Sequence, residues 1–146
     1  MKLLIINGPN LNLLGVREKS VYGTMSYTTM CEYILNEAKK LDVELEIVQS
    51  NTEGEIINFL HAAMDKFDGV IINPGAYTHY SYAIHDAIKG ISIKTVEVHL
   101  SNIQAREELR SKSVTAPACL GQISGFGHYG YVMAIMAHLN TVDKDI

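Results

Sequence analysis

Short apolar runs of strand length alternate along the chain with longer amphipathic stretches of helix length, the pattern of a parallel sheet covered on both faces. Lys2-Leu3-Leu4-Ile5-Ile6 predicts a first strand. From Ser26, a residue suited to an N-cap, Met30, Ile34, Leu35, Ala38 and Leu41 recur at helical spacing. Residues 43–48 alternate apolar positions with Glu44 and Glu46, which suits a sheet edge with one more polar face. SNTEGEI then turns the chain into a second helix whose buried stripe is Ile56, Ile57, Leu60, Ala63, Met64 and Phe67. Residues 69–73 read as a fully apolar strand, residues 79–89 as a third helix, and residues 93–98 as a fourth strand running out into His99 and Ser101. A short helix over 104–110 and a loop with Pro117 lead to a fifth strand over 118–123, and the last helix covers 127–139 with Tyr131, Ile135 and Leu139 on one face.

Five strands alternating with helices predict an α/β fold: a flavodoxin-like, doubly wound, five-stranded parallel sheet with helices on both faces. Such sheets bind ligands beyond the carboxyl ends of their strands. Those ends carry Asn7 and Asn10 after the first strand, Asn73 and Gly75 after the third, and His99 and Ser101 after the fourth. No composition shift or linker divides residues 1–146, so a single catalytic domain is expected, long enough to bury about two thirds of its unfolded surface.

Composition narrows the partners. A net charge of −4 gives no long-range attraction for nucleic acid or an anionic membrane, and neither is expected as a partner. The apolar start of the chain stops at Asn7, too short for a signal sequence, and no later run approaches the roughly 20 apolar residues of a membrane span. A soluble, cytoplasmic protein is expected. Cys31 and Cys119 stand far apart, and Cys31 falls on a helical pattern where a reduced, buried thiol is expected.

Candidate chemistry begins in residues 7–23, NGPNLNLLGVREKSVYG, a long stretch without helical or strand periodicity. Such loops are lids, binding loops or linkers, and the apolar anchors Leu11, Leu13, Leu14 and Val16 argue for a lid. Within it Arg17 precedes Tyr22 by five residues. A guanidinium stabilises a phenolate, making this pair a candidate base, with a solvated charge and a packing tyrosine as the alternative. His99 at a strand end suits an acid or a capping group, and Ser101 and Asn102 suit an N-cap or a helix start offering N–H groups to an anion. Arg106 and Arg110, four apart on a predicted helix, suit a bidentate carboxylate or a solvated face. His79 and Asp86 share a face of the third helix in the same reading. Metal-ligand spacings and a Gly-x-Ser-x-Gly elbow are both lacking, so no metal and no nucleophilic triad is expected. A base, an acid and the amides of Asn10 and Asn73 point to elimination next to a carbonyl.

The segments NGPNLNLLGVRE with Tyr22-Gly23, NPGAYTH with the following Ser81 and Asp86, EVHLSN with AREE and Arg110, and the closing GFG and GY resemble the type II 3-dehydroquinate dehydratase family over nearly the whole chain. The resemblance implies a flavodoxin-like fold, no cofactor, and a homododecamer built as a tetramer of trimers. It also implies anti elimination of water from 3-dehydroquinate through an enolate, in aromatic biosynthesis through the shikimate pathway or in quinate catabolism. On this chain Tyr22 then matches the base, Arg17 its activator, Asn10 the enolate-stabilising residue acting through a water, and His99 the acid. Asn73, Gly75, His79, Leu100, Ser101, Arg106 and Arg110 fall among the substrate-binding positions, and Asp86 matches a residue reaching a neighbouring subunit's site. Lys19, Ser20, Tyr80, Tyr82, His85 and Gln104 depart from the family's common pattern at positions with no catalytic match. The rival from another class is a flavodoxin-like binding module, with Tyr77, Tyr80 and Tyr82 stacking on a flavin.

Overall fold

A computed structural model describes residues 1–16 and 18–141. Among them are strands β1 (Lys2–Asn7), β2 (Glu44–Gln49), β3 (Gly69–Asn73), β4 (Lys94–His99) and β5 (Gly121–Ser124). They form one parallel sheet in the order β2-β1-β3-β4-β5, the flavodoxin-like order expected. The helices are α1 (Lys19–Tyr22), α2 (Tyr27–Lys40), α3 (Glu53–Ala63), α4 (Tyr82–Gly90) and α5 (Tyr129–Thr141). No helix among the described residues is long and apolar enough to cross a membrane.

The continuous apolar runs of β1 and β3 follow from burial on both faces, because successive side chains point to opposite sides of a sheet. Leu3 and Ile5 join a core with Met30, Ile34 and Ala38 of α2 and Tyr131, Ala134 and Ile135 of α5. Leu4 and Ile6 join a second core with Ile56 and Leu60 of α3 and Ile84 and Ile88 of α4. The half-polar strand β2 lies at the edge, as its alternation predicts. His138 on α5 is buried against β3, its Nε2 2.9 Å from the carbonyl of Val70 and its ring over Gly69, where a Cβ would come within 2.6 Å.

Several boundaries differ from expectation for local reasons. The third helix starts at Tyr82 because the Ser81 hydroxyl caps it, accepting from the Ile84 N–H at 3.0 Å. Gly75–His79 form a separate 3-10 turn, so His79 and Asp86 do not share a helical face. Residues 104–110 are not one helix but two three-residue 3-10 turns, Ile103–Ala105 and Glu108–Arg110, parted where Arg106 and Glu107 turn extended. A 3-10 turn over Ala116–Ala118, with Pro117 in its first turn, delays β5 to Gly121. On α2, Leu35 is exposed although its hydrophobicity placed it in the stripe, and Cys31 is a free, half-buried thiol.

Candidate active site

The carboxyl ends of β1, β3 and β4 open into a cavity of about 220 Å³. Its lining combines Asn10, Leu11, Leu14 and Tyr22 from the covering segment, Asn73, Gly75 and His79 after β3, and His99, Leu100, Ser101, Arg106 and Arg110 after β4. Residues predicted from three distant stretches are thus brought to one place. Asp86 is the exception. It lies on the exposed side of α4 with Oδ1 3.0 Å from His85 Nδ1. Arg17 lies outside the described residues.

Two glycines let the loops after β1 and β3 close on each other. The Gly8 N–H donates to the Asn73 carbonyl at 2.7 Å, and a Cβ at Gly8 would sit 2.5 Å from the Pro74 carbonyl oxygen. Gly75, at φ +60, lies against Pro9 in the same way. Asn10 follows this contact in a left-handed conformation, φ 68, uncommon for a residue with a side chain and costing about 1 kcal/mol. It is held there by its N–H, which donates to Asn51 Oδ1 at 3.0 Å. Gln49 Nε2 donates to the same Oδ1 and to the Gly8 carbonyl, which ties the start of the cover to the end of β2.

Tyr22 ends α1, where Gly23, at φ 82, stops the helix. Among the described residues Arg106 brings a guanidinium to its phenol: Nη1 donates to Oη at 2.9 Å, and Cζ lies 5.8 Å from the ring centroid. This bond holds the Arg106 guanidinium above its usual range. Arg106 was read with Arg110 as half of a carboxylate fork on one helical face; the break at Arg106 and Glu107 separates them, although both still line the cavity. Arg110 Nη1 pairs with Glu107. Asn102, not Ser101, is the capping residue of the first turn, its Oδ1 accepting from the Gln104 N–H at 3.1 Å. A three-residue turn lacks the aligned peptides of a longer helix, so the helix-start argument for anion binding does not transfer to it.

Below His99 lies a polar group that the sequence reading missed. Glu97, fully buried in β4, places Oε2 3.0 Å from His99 Nε2. The same carboxylate accepts from Ser113 Oγ at 2.8 Å, Gln122 Nε2 at 2.7 Å, Thr78 Oγ1 at 3.2 Å and Thr115 Oγ1. Burial works to push its pKa up, but the hydrogen bond and charge of His99, with the bonds from Thr115 and Gln122, outweigh burial and hold it below the usual carboxylate range. An ionised acceptor there makes Nε2 the protonated nitrogen of the His99 ring, leaving Nδ1 for other partners. The signal was available: a lone carboxylate in the apolar run KTVEVH, two residues before a candidate acid.

Asn73 is also fixed from beneath. Its Oδ1 accepts from the Gly75 N–H at 3.2 Å and its Nδ2 donates to the Tyr131 hydroxyl at 3.1 Å, which donates in turn to Asn7 Oδ1 at 2.6 Å. Asn7 Nδ2 continues the chain to Tyr27 Oη at 3.3 Å, and burial pushes the Tyr27 phenol up to about 12. His79 donates from Nδ1 to the Lys112 carbonyl at 2.6 Å. Tyr77, Tyr80 and Tyr82, the stacking group of the binding-module alternative, do not line the cavity; Tyr77 and Tyr80 meet edge to face, and Tyr77 donates to the Asn51 carbonyl.

A doubly wound sheet whose switch between β1 and β3 is roofed by a phenol with its arginine, and faced by a histidine with its buried carboxylate, defines an α/β protein built for acid–base chemistry on a small polar molecule. Residues 1–139 match the family model described as Dehydroquinase class II, and the chain belongs to that family. It is 64% identical to a 3-dehydroquinate dehydratase of Clostridium acetobutylicum over 99% of this chain and 100% of that protein. Among solved structures it resembles the type II dehydroquinase of Butyrivibrio crossotus, with TM-score 0.93 and 52% identity over 97% of this chain and 98% of that one. It also resembles the type II dehydroquinase of Propionibacterium acnes, with TM-score 0.92 and 37% identity over 95% and 96% of the two chains.

Proposed function

We propose that this chain, as a single catalytic domain over residues 1–146, dehydrates 3-dehydroquinate to 3-dehydroshikimate by anti elimination through an enolate, using no metal or organic cofactor. The observation that carries the reading is the pairing, across one cavity, of the Arg106-bound phenol of Tyr22 with the Glu97-bound imidazole of His99. Tyr22 as phenolate takes the proton alpha to the ketone, and the electron pair moves into the enolate. Asn10, through a water, stabilises the enolate oxygen in a site shielded by the cover. Collapse of the enolate expels the β-hydroxyl, which His99 protonates, and one water leaves. Glu97 orients the His99 ring and balances its charge when it is protonated.

Asn73, Gly75, His79, Leu100, Ser101, Arg106 and Arg110 hold the substrate in this reading, the backbone of Leu100 and Ser101 taking its carboxylate. Arg17 takes the role of lowering the pKa of the Tyr22 phenol, and Asp86, which does not line this cavity, serves the site of a neighbouring subunit in a homododecamer built as a tetramer of trimers. The enzyme works in the cytoplasm, in the shikimate pathway or in quinate catabolism. The test is the absorbance of the conjugated enone when metal-free protein meets 3-dehydroquinate. Growth of that signal, unaffected by borohydride because no Schiff base forms, supports the reading; its absence from folded, assembled protein overturns it.

A further inference from the structure

We propose that Tyr131 is a positioning residue for substrate binding: its hydroxyl, held between the amides of Asn7 and Asn73, fixes the amide plane of Asn73 and aims the second N–H of that amide at the ligand. The inference rests on the reading of the cavity as the 3-dehydroquinate site. It extends the binding machinery to two residues, Tyr131 and Asn7, that do not line the cavity.

The argument is one of proton counting. Asn7 Nδ2 donates to Tyr27, so Asn7 turns its Oδ1 toward Tyr131. A hydroxyl has one proton, and the 2.6 Å contact commits that of Tyr131 to Asn7. Toward Asn73 the Tyr131 oxygen is then only an acceptor, and only Nδ2 satisfies it. On the other side the Gly75 N–H demands Oδ1. Both ends of the Asn73 amide are thereby specified, and a flipped amide would set oxygen against oxygen at Tyr131 and N–H against N–H at Gly75. Asn7 and Asn73 are register partners at the ends of β1 and β3, so one phenol from α5 serves both strands at the switch point where the ligand sits. Among the described residues the Tyr131 hydroxyl is the only acceptor for Asn73 Nδ2, which leaves its second N–H for the cavity that Asn73 lines. Packing alone does not need this hydroxyl. Tyr131 is fully buried among Ile34, Val98 and Ile135 of the same core, where a phenylalanine ring has the same shape and no polar atom to satisfy.

The test is steady-state kinetics with 3-dehydroquinate on the full-length assembled protein, comparing Tyr131→Phe, Asn7→Ala, Asn73→Ala and the Tyr131→Phe/Asn73→Ala double variant. Tyr131→Phe should raise KM about tenfold while kcat falls less than about threefold, because a ground-state contact is lost and the acid and base are untouched. Asn7→Ala releases the hydroxyl proton from its acceptor and should raise KM in the same direction by less; should Tyr131→Phe fail to fold, this variant decides. In the Asn73→Ala background Tyr131→Phe should leave KM where it is, because the group it positions is gone. A role confined to packing would lower the melting temperature equally in both backgrounds without this dependence. Unchanged KM in folded single variants, or the same multiplication of KM with Asn73 present and absent, overturns the proposal. No turnover by the unaltered protein would instead remove the functional reading and this proposal with it.

Discussion

The two sides of the cavity are built differently. The strand-end side rests on Asn7, Asn73, Glu97 and His99, all buried, each with side-chain polar atoms tied to neighbours in the sheet, α2, α5 or the loop over 113–115. The covering side, residues 8–25, consists of a 3-10 turn over Leu11–Leu13 and the four-residue α1, with positive φ at Asn10, Gly15, Glu18 and Gly23 and with Leu13, Val16 and Val21 exposed. Among its described residues Leu11 and Leu14 are buried in the core, and Tyr22 and Met25 pack against it half-buried. Opening the cover breaks few buried contacts, whereas disturbing the strand-end side strands several buried polar groups at once. His99 and the amide of Asn73 are therefore fixed by the sheet, whereas Tyr22 belongs to the more exposed covering segment.

The sharpest way to break this comparison is Tyr22→Phe. Turnover should fall about 10³-fold if the phenol is the general base, while thermal stability stays close to that of the unaltered protein because the ring that packs against the core is kept. Enone absorbance and a thermal melt on the same sample decide it, and activity within tenfold of the original would remove Tyr22 from the base role. On the opposite side Glu97→Ala should cost about 3 kcal/mol or more in denaturant unfolding, since Ser113, Thr115, Gln122 and His99 all lose their buried acceptor. A loss below about 1 kcal/mol would contradict the idea of a rigid side.

The same carboxylate gives a pH test. Its folded pKa is held below the ordinary 4.5, so its contribution to stability is complete above that value and drains away as pH falls through the lowered folded value. Glu97→Gln should flatten the acid limb of stability against pH, and an unchanged limb would assign acid unfolding to other groups. Arg106→Leu, which cuts the hydrogen bond that joins the two sides at Tyr22, should lower kcat/KM about tenfold with little change in stability. Steady-state rates within twofold would mean that the contact plays no part in turnover. The smallest effect belongs to Ser26→Ala where the cover joins α2: about 1 kcal/mol of stability from the lost cap on the Thr29 N–H, and no change in kcat.

The lining residues Asn10, Tyr22, Asn73, Gly75, His99 and Ser101 were legible as strand-end or loop positions, because a parallel sheet delivers the ends of its strands to one edge, whereas His79, Arg106 and Arg110 were read on helices and Leu100 came from the family resemblance. The chain order of strands and helices was legible too, since burial on both faces writes itself as continuous apolar runs. What misled was helical periodicity read across residues 104–110 and 79–89: Arg106 and Arg110 have helical spacing, but spacing says nothing of the extended backbone at Arg106 and Glu107 or of the hydroxyl of Ser81 ending one segment and capping the next. Glu97 was overlooked because a charge in a strand looks like an edge feature until the groups that neutralise it are known.

By itself the sequence determined the sheet, its helices and the family, because these depend on local period, turn chemistry and long motifs that survive in one dimension. The tertiary structure alone decided which guanidinium meets the Tyr22 phenol among the described residues, which carboxylate stands under His99, and which hydroxyl orients Asn73. Those partners are 84, 2 and 58 residues away along the chain. A hydrogen bond is specified by distance and direction in space, and sequence separation carries neither.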